Sequence, residues 1–273
     1  MKKVWITVDI EEWYHLEYIR KYIKDKGDFR IVPKLNDFLD DLDRLNIKAT
    51  FFTLMDVAED NPNLIRRIVT SGHVVGCHGY DHDLLYNKSN DIFIKQLYIA
   101  KKSIEDITGT DILGYRASCY SMEDEKLDIL INCGFKFDSS YIRFEKHDLY
   151  RNLKLDGFSR YESLVYSKFD FCEYEIPTVK IFRYNIPISG GGYIRLFPMW
   201  LLKKLLKRYQ KSEDNFLLYV HPFELTDVDI PISNKLSLKD NFRMNIGRKG
   251  NRKKIVRLLE YLQENGVEFC TMS

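Results

Sequence analysis

The sequence predicts an α/β fold, a distorted (β/α) barrel of about seven or eight strands, and three observations support this class. Short β-branched apolar runs alternate with helical patterns along the whole chain, as in strand–helix units with a largely parallel sheet. The 273 residues, 45% of them hydrophobic, suffice for one large core. No Pro-, Ser- or Gly-rich linker and no internal repeat divides the chain. We therefore expect a single domain spanning residues 1–273.

The elements follow from the period of the apolar residues and from helix start signals. Eight short apolar runs are predicted as strands: Val4–Val8, Ala49–Phe52, Val74–Cys77, Gly114–Arg116, Lys136–Asp138, Glu175–Thr178, Phe216–Val220 and Val267–Met272. Six longer segments, several opening with Asp, Asn or Pro, are predicted as helices: Pro33–Leu45, Asn61–Ser71, Asp91–Thr108, Asp124–Cys133, Pro198–Lys211 and Asn251–Asn265. The segment Tyr141–Arg195 breaks this rhythm and is interpreted as an inserted hairpin or lid.

Composition excludes several classes of protein. The formal net charge is only +2, from 42 basic and 40 acidic residues, which gives no general attraction to nucleic acid. Five widely spaced cysteines without a CxxC pair argue against a disulfide framework and against a cysteine-only zinc site. The chain enters a strand and meets acidic residues before a signal-peptide hydrophobic stretch is complete, and no later stretch could span a bilayer. These features predict a cytoplasmic protein.

Two carboxylates follow the first predicted strand, in the segment Thr7-Val-Asp-Ile-Glu-Glu-Trp13. Side chains alternate in extended backbone, so Asp9 and Glu11 face one way while Ile10 and Glu12 face the other. Such a pair suits a division of labour in which one carboxylate binds a metal ion and the other acts as a base. Solvated loop acids are the alternative interpretation.

Two histidines follow a later strand in the segment His78-Gly-Tyr-Asp-His82. Histidines four residues apart lie on one side of a helical turn, where both rings can bind one cation. Two histidines and one carboxylate leave positions open for water and substrate, as catalytic sites do. Surface or core histidines produce the same spacing by chance. Of the others, His73 is predicted to be structural, and His15 and His147 to lie at the surface or behind the site.

Three further polar clusters stand at predicted strand ends, which converge on one mouth in parallel α/β folds. Arg116 is expected to hold Asp9 through a bidentate pair, with an ordinary surface ion pair as the alternative. Asp138 is expected to orient a histidine or arginine, or to cap a turn. His221 ends a hydrophobic strand and has the pKa range of a general acid, although a core histidine is the alternative.

Together these segments resemble the polysaccharide deacetylase family, also called the NodB-homology domain or carbohydrate esterase family four. The resemblance runs from Thr7 to His221 and consists of five motifs in the family's order. The family's first motif, Thr-Phe-Asp-Asp-Gly, places a base and then a metal ligand. Here Asp9 matches the base, but Ile10 stands at the ligand position and cannot bind metal. The third ligand is therefore assigned to Glu11, with Glu12 as the alternative, as in a branch of the family with Asp-x-Glu.

The remaining motifs match in part. The family's His-x-x-x-His matches His78 and His82, and its Gly-Gly-Gly-Tyr loop is similar to Gly190–Tyr193. Its Arg-x-Pro motif keeps the arginine but has Ser118 in place of proline. Its Leu-x-His motif is similar to Tyr219-Val-His221. The resemblance implies a distorted barrel of the NodB-homology type.

The resemblance implies a hydrolase acting on linear amides, which removes N-acetyl groups from amino sugars of a polysaccharide or glycan precursor. A divalent metal, most simply Zn²⁺, with Co²⁺, Fe²⁺ and Ni²⁺ as alternatives, would bind the Glu–His–His set. Asp9 would be the base, positioned by Arg116, and His221 the acid. The residues assigned to substrate binding are one serine, through a nearby backbone N–H, and four aromatic residues: Ser118, Trp13, Tyr14, Tyr120 and Tyr193.

Two other functions stay open from the sequence. One is a same-fold amidohydrolase acting on a small cyclic amide or ureide, which the departure at Ile10 permits. The other is a catalytically silent carbohydrate-binding protein, which would have no need of Asp9, Arg116 and His221 together.

The predicted helix Pro198–Lys211 has a leucine stripe on one side and a basic stripe on the other. Such a basic face is typical of helices that dock on anionic membranes, where lipid-linked glycans would be reached. A solvated outer helix of the barrel is the alternative.

Overall fold

The computed structural model describes residues 1–144, 149, 151, 153–181, 184–232 and 236–273. The prediction for His147 lies outside these residues. Twelve strands occur in the described part: β1 Lys3–Ile10, β2 Thr50–Leu54, β3 Val74–Gly79, β4 Gly114–Tyr115, β5 Phe137–Asp138, β6 Ser159–Glu162, β7 Val165–Lys168, β8 Phe171–Tyr174, β9 Thr178–Ile181, β10 Tyr184–Pro187, β11 Phe216–Val220 and β12 Glu268–Cys270.

Helices cover the sheet, and their ends carry recognisable caps. The α-helices of the described residues are α1 Glu17–Arg20, α2 Asn36–Leu45, α3 Met55–Asp60, α4 Pro62–Thr70, α5 Asn90–Thr108, α6 Asp124–Asn132, α7 Gly191–Leu196, α8 Met199–Tyr209, α9 Leu238–Asn245 and α10 Asn251–Glu264. Ser89 caps α5 by accepting a hydrogen bond from the Ile92 N–H, and Gly109 ends that helix in the left-handed conformation. These caps explain why local sequence signals predicted the bounds of α5 to within one residue.

The sheet is largely parallel and curls upon itself. Its strand order is β11-β1-β2-β3-β4-β5-β8-β7-β6, with β12 also paired to β1. All neighbours from β11 to β8 are parallel, whereas β8, β7 and β6 run antiparallel. Asn215, directly before β11, donates hydrogen bonds to Glu162 and to the Ser163 carbonyl, both at 3.1 Å. The two ends of the sheet therefore meet, which gives the distorted (β/α) barrel that the sequence predicts.

One strand prediction is wrong. Residues Glu175–Thr178 mostly link β8 to β9, with an isolated bridge of Ile176 to Ile142 and single backbone hydrogen bonds to the neighbouring chain instead of a ladder. Pro177 has no N–H to donate to a ladder, so the strand forms earlier, at Phe171–Tyr174. The segment Tyr141–Arg195, predicted as an inserted hairpin or lid, holds β6–β8, the separate β9–β10 hairpin and α7.

Helix α8 packs its apolar stripe inward. Leu202, Leu206 and Tyr209 are buried, whereas Lys204 and Lys207 are exposed. The leucine stripe predicted from the sequence thus belongs to the core of the barrel. Among the described residues, no helix combines the length and apolar character needed to cross a membrane.

Candidate metal centre and active site

The sheet brings the predicted site residues to one mouth, because each lies at or beyond the carboxyl end of a parallel strand. These residues are Asp9 and Glu11 at the end of β1, His78 and His82 at the end of β3, Arg116 after β4, Asp138 at the end of β5 and His221 after β11. All except His221 are at most 4% exposed. The mouth is therefore a buried polar cluster at one end of a hydrophobic barrel.

Glu11, His78 and His82 form the potential metal centre. One ligand atom from each residue lies within 4.8 Å of the other two. His78 Nδ1 donates a hydrogen bond to the Arg116 carbonyl at 2.8 Å, so its Nε2 keeps a free lone pair. Burial lowers the pKa of His78 to about 4, so the ring is neutral at neutral pH, the form that binds metals.

Glu11 and His82 approach each other closely, as two ligands of one cation do. Glu11 Oε2 lies 2.6 Å from His82 Nε2, yet this oxygen accepts no well-aligned hydrogen bond within the described structure, and neither does His82 Nδ1. Burial acts to raise the pKa of Glu11, but the nearby rings, His82 first, outweigh it and hold this pKa well below its usual range. An ionised buried carboxylate beside two imidazoles fits a divalent metal ion.

Glu12 is engaged elsewhere, which favours Glu11 over Glu12 as the third ligand. Its carboxylate turns away from Glu11, as alternation along the chain requires, and accepts hydrogen bonds from the Ile31 and Val32 N–H groups at 2.9 and 3.1 Å. The Glu12 N–H donates to His15 Nδ1 at 3.2 Å. His15 is buried and its ring stacks on that of His82 at 5.9 Å, so it lies behind the site and not at the surface.

Asp9 is held by a fully buried arginine. Arg116 Nη1 donates to Asp9 Oδ1 at 2.8 Å and to Thr7 Oγ1 at 2.7 Å. Its Nε and Nη2 donate to the Ser139 carbonyl and hydroxyl at 3.0 and 2.8 Å, and the guanidinium lies 4.4 Å from the centre of the Phe52 ring. The pair is thus not the predicted bidentate one, because the other guanidinium donors are used by Ser139.

Asp138 does not orient a histidine or an arginine directly, as the sequence had suggested. Its Oδ1 accepts a hydrogen bond from Ser140 Oγ at 3.0 Å. The arginine is instead held by Ser139, the next residue. Asp138 therefore acts on Arg116 through the turn that follows β5.

His221 forms a second charge pair, which sequence reasoning missed. His221 Nδ1 lies 3.0 Å from Glu224 Oε2, and the same oxygen accepts the His221 N–H at 3.1 Å. His221 Nε2 points toward Glu11 and Asp9, at 3.6 and 3.9 Å. Burial acts to lower the pKa of His221, but Glu224, then Glu11 and Asp9, outweigh it and raise this pKa to about 9. Arg195 Nε lies 3.2 Å from Glu224 Oε1 and completes the cluster.

The Gly-Gly-Gly loop makes room for this cluster. A methyl group on Gly190 would lie 2.5 Å from Tyr219 Cζ, and one on Gly191 would lie 2.5 Å from Glu224 Cδ. Both are far inside van der Waals contact. The glycines therefore allow α7 to begin directly against the Glu224 carboxylate. The three consecutive glycines are visible in the sequence, but they indicate Glu224 only once this packing is known.

The residues assigned to substrate binding have mixed outcomes. Trp13 is 3% exposed and donates its indole N–H to the Phe29 carbonyl, and Tyr14 is also buried, so both belong to the core. Tyr120 is buried edge-on against Tyr219. Tyr193 is half-buried beside Phe197 and keeps some exposed surface.

Ser118 is buried in a tight loop beside the mouth. Its carbonyl accepts hydrogen bonds from the Ser121 hydroxyl and N–H at 2.7 and 3.1 Å. Cys119 and Tyr120 adopt φ angles of 51° and 52°, a left-handed backbone that costs non-glycine residues about 1–2 kcal/mol each. The loop stores strain in the place where the family has its proline, as loops at functional sites often do.

Comparisons with known proteins agree with this geometry. Residues 23–137, which include His78, His82 and Arg116, match the family model described as polysaccharide deacetylase. Residues 139–273, which include His221, match a domain of unknown function, DUF3473. Both segments contribute strands to the same sheet.

Curated relatives are matched over short stretches. A peptidoglycan-N-acetylglucosamine deacetylase of Bacillus cereus is 36% identical over 85 residues, which are 31% of this chain and 30% of that protein. The corresponding enzyme of Listeria monocytogenes is 41% identical over 71 residues, 26% of this chain and 15% of that protein. The chain thus matches less than a third of the length of either relative.

The fold is matched over nearly the whole chain. A crystal structure described as a polysaccharide deacetylase from Mycobacterium smegmatis aligns with a TM-score of 0.58 at 19% identity, covering 99% of this chain and 93% of that one. The chain thus contains a segment, residues 23–137, that matches the polysaccharide deacetylase (NodB-homology) model, and as a whole it has the fold of solved carbohydrate esterase family four structures.

Proposed function

We propose that this protein is a metal-dependent hydrolase that removes N-acetyl groups from amino sugars of a cell-envelope polysaccharide or its precursor. The observation that carries the proposal is the buried cluster of Glu11, His78 and His82, with Asp9 and His221 beside it. Relatives that bear the name peptidoglycan-N-acetylglucosamine deacetylase support the substrate class.

The proposed cofactor is Zn²⁺, held by Glu11, His78 and His82. One carboxylate and two neutral imidazoles suit this ion, although Co²⁺, Fe²⁺ and Ni²⁺ accept the same donors. When bound, the cation supplies Lewis acidity that polarises the acetamide carbonyl and makes water a better nucleophile. The departure at Ile10 does not count against metal binding, because Glu11 supplies the carboxylate from the same face of the chain as Asp9.

Proton transfer is assigned to two residues with different partners. Asp9 takes the proton of the attacking water, and its hydrogen bond from Arg116 holds the carboxylate in a fixed position. His221 donates a proton to the departing amine, and Glu224 keeps the ring charged and oriented for this step. A backbone N–H near Ser118 stabilises negative charge on the carbonyl oxygen. The products are acetate and a sugar with a free amine.

Two other functions give different outcomes in the same assay. A cyclic-amide or ureide amidohydrolase would open a ring and release no acetate. A carbohydrate-binding protein would retain a glycan without either reaction. The proposed general base, Asp9, and the proposed general acid, His221, both lie beside the potential metal centre, which favours the deacetylase.

The test is acetate release from N-acetylglucosamine oligomers by protein reconstituted with each of the four metal ions in turn. We expect the wild type to release acetate, Asp9→Asn to release far less, and Glu12→Gln, the matched control, to behave like the wild type. Ring opening of a cyclic ureide without acetate release would favour the amidohydrolase. Glycan retention with neither product would favour the binding protein.

A further inference from the structure

Two buried carboxyl groups lie side by side behind Arg116. Asp138 in β5 and Glu173 in β8 are direct partners in the parallel register, and both are fully buried. Paired residues of neighbouring parallel strands project to the same face of the sheet, so the two carboxyl groups are neighbours. The catalytic scheme proposed above makes no use of Glu173.

Two of the four oxygens of this pair accept hydrogen bonds from other groups, and two do not. Glu173 Oε1 accepts hydrogen bonds from the Ser140 and Tyr141 N–H groups, both at 2.9 Å. Asp138 Oδ1 accepts from Ser140 Oγ. Asp138 Oδ2 and Glu173 Oε2 are buried, and in the described structure neither accepts a hydrogen bond from any other group. The donors of Arg116, whose charge acts on Asp138, are directed to other partners.

Two adjacent buried carboxyl groups without a cation of their own do not both ionise. One proton shared between Asp138 Oδ2 and Glu173 Oε2 satisfies both oxygens. Burial raises the pKa of Asp138 to about 6 and raises the pKa of Glu173 well above its usual range. The two unpaired oxygens call for one shared proton, and the directions of the two pKa shifts place it on Glu173.

The pair is connected to the proposed base through the turn that follows β5. Ser139 binds Arg116 through its carbonyl and hydroxyl, and Arg116 binds Asp9. Ser140 Oγ accepts the Ala117 N–H at 2.9 Å and so also fixes the loop after Arg116. Glu173 therefore supports both the arginine and the loop that follows it.

We propose that Glu173 stays protonated, donates this proton to Asp138, and thereby acts as a positioning residue for the Asp9–Arg116 pair. The inference rests on the proposed deacetylase function for its kinetic consequence only. Neither carboxyl group touches a metal ligand or the substrate, so the role of Glu173 is indirect.

The test compares Glu173→Gln with Glu173→Leu. Gln keeps an oxygen for the two backbone N–H groups and an N–H for Asp138, whereas Leu keeps neither. We expect kcat for acetate release to stay within about threefold of wild type in E173Q and to fall more than about tenfold in E173L, with KM and metal content unchanged. Equal impairment of both variants, or wild-type kcat in folded E173L, would overturn the proposal.

A spectroscopic arm separates this proposal from the deacetylase function. Infrared difference spectra at neutral pH should show a protonated carboxyl C=O band in the wild type that is absent from E173Q. The melting temperature of E173L should fall below that of E173Q. These two results support the proposal even if no acetate is released, and absence of the band would refute it whatever the activity.

A second inference concerns the outward face of α8. Trp200, Lys204 and Lys207 are spaced by four and three residues, so they form one stripe opposite the buried side of the helix, and exposed Lys211 follows in the turn just after α8. Trp200 is 67% exposed, and α8 contains no acidic residue. Within the described part of the chain, none of the three lysines is in an ion pair.

The positive charge of this outward face of α8 indicates an anionic partner. A row of unpaired lysines with a tryptophan at one end matches an anionic lipid surface, where ammonium groups meet headgroups and the indole enters the interface. Leu196, 47% exposed just before α8, adds apolar surface at the same end. We infer that α8 docks the protein peripherally on an anionic membrane through this stripe.

The test is flotation with vesicles of phosphatidylcholine containing phosphatidylglycerol. We expect salt-sensitive binding that weakens more than about tenfold when the three lysines are changed to Glu, and that also weakens in Trp200→Ser. The matched control changes three exposed lysines on other parts of the surface, Lys34, Lys95 and Lys154, to Glu. Equal loss in the control, no flotation of the wild type, or binding to soluble polyglutamate but not to vesicles would overturn the inference.

Discussion

Gly191 offers a sharp test of the Glu224–His221 pair, because a single methyl group there collides with the Glu224 carboxylate. The added carbon would lie 2.5 Å from Glu224 Cδ, and closer still to one oxygen. The carboxylate would have to move by about 1 Å to reach ordinary contact distance. A methyl group on Gly192, by contrast, would meet only atoms at 3.9 and 4.0 Å, so Gly192→Ala is a matched control.

The magnitude follows from what the displaced carboxylate loses. Glu224 binds the side chain and N–H of His221 at 3.0 and 3.1 Å and lies beside Arg195. A misplacement of about 1 Å in a catalytic group costs on the order of 100-fold in rate. We therefore expect Gly191→Ala to lower kcat by about 100-fold, and its overpacking to destabilise the fold by about 1–3 kcal/mol.

The assay is kcat for acetate release over the pH range, for wild type, Gly191→Ala and Gly192→Ala. The acid form of His221 is present below its pKa and is lost as the pH rises through it. Because Glu224 raises the pKa of His221, displacing Glu224 should move the fall in rate at high pH to lower pH. A folded Gly191→Ala protein with wild-type kcat and an unchanged pH profile would refute this reasoning.

Further variants separate metal binding from proton transfer. Glu11→Gln should lower metal content and activity together. Glu12→Gln should keep both, because its amide oxygen still accepts the two backbone N–H groups. Equal metal loss in the two variants, measured by elemental analysis, would contradict the ligand assignment. Asp9→Asn should keep the metal but lose about 10²–10⁴-fold in acetate release, and loss of metal from this variant would show that Asp9 is a ligand. Arg116→Lys should lower both kcat and the melting temperature, because one ammonium group cannot make the hydrogen bonds that the guanidinium makes to Asp9 and Ser139. An unchanged melting temperature would refute this.

The parts of the site that the sequence predicts are those set by local geometry. Alternation in extended backbone places Asp9 and Glu11 on one face, and a spacing of four residues brings His78 and His82 together. The convergence of parallel strand ends then joins these segments to Arg116. Predicting this part of the site requires only the local backbone geometry and the parallel direction of the strands.

The missed features depend on contacts between distant segments. Glu224 follows His221 by three residues, but its partner Arg195 is 29 positions earlier in the chain and nothing local indicates their contact. The pairing of Glu173 with Asp138 requires the register of β5 with β8, whose position was predicted a few residues too late. Trp13 was assigned to substrate because it follows the site carboxylates, but its indole packs in the core.

The most direct test of the central claim measures metal content and acetate release in the same preparations of wild type, His78→Ala and Asp9→Asn. We expect near-stoichiometric metal and acetate release in the wild type, loss of both in His78→Ala, and metal without acetate release in Asp9→Asn. A wild-type protein that binds no divalent metal, or a metal-free His78→Ala that releases acetate at the wild-type rate, would contradict the proposed site and its chemistry.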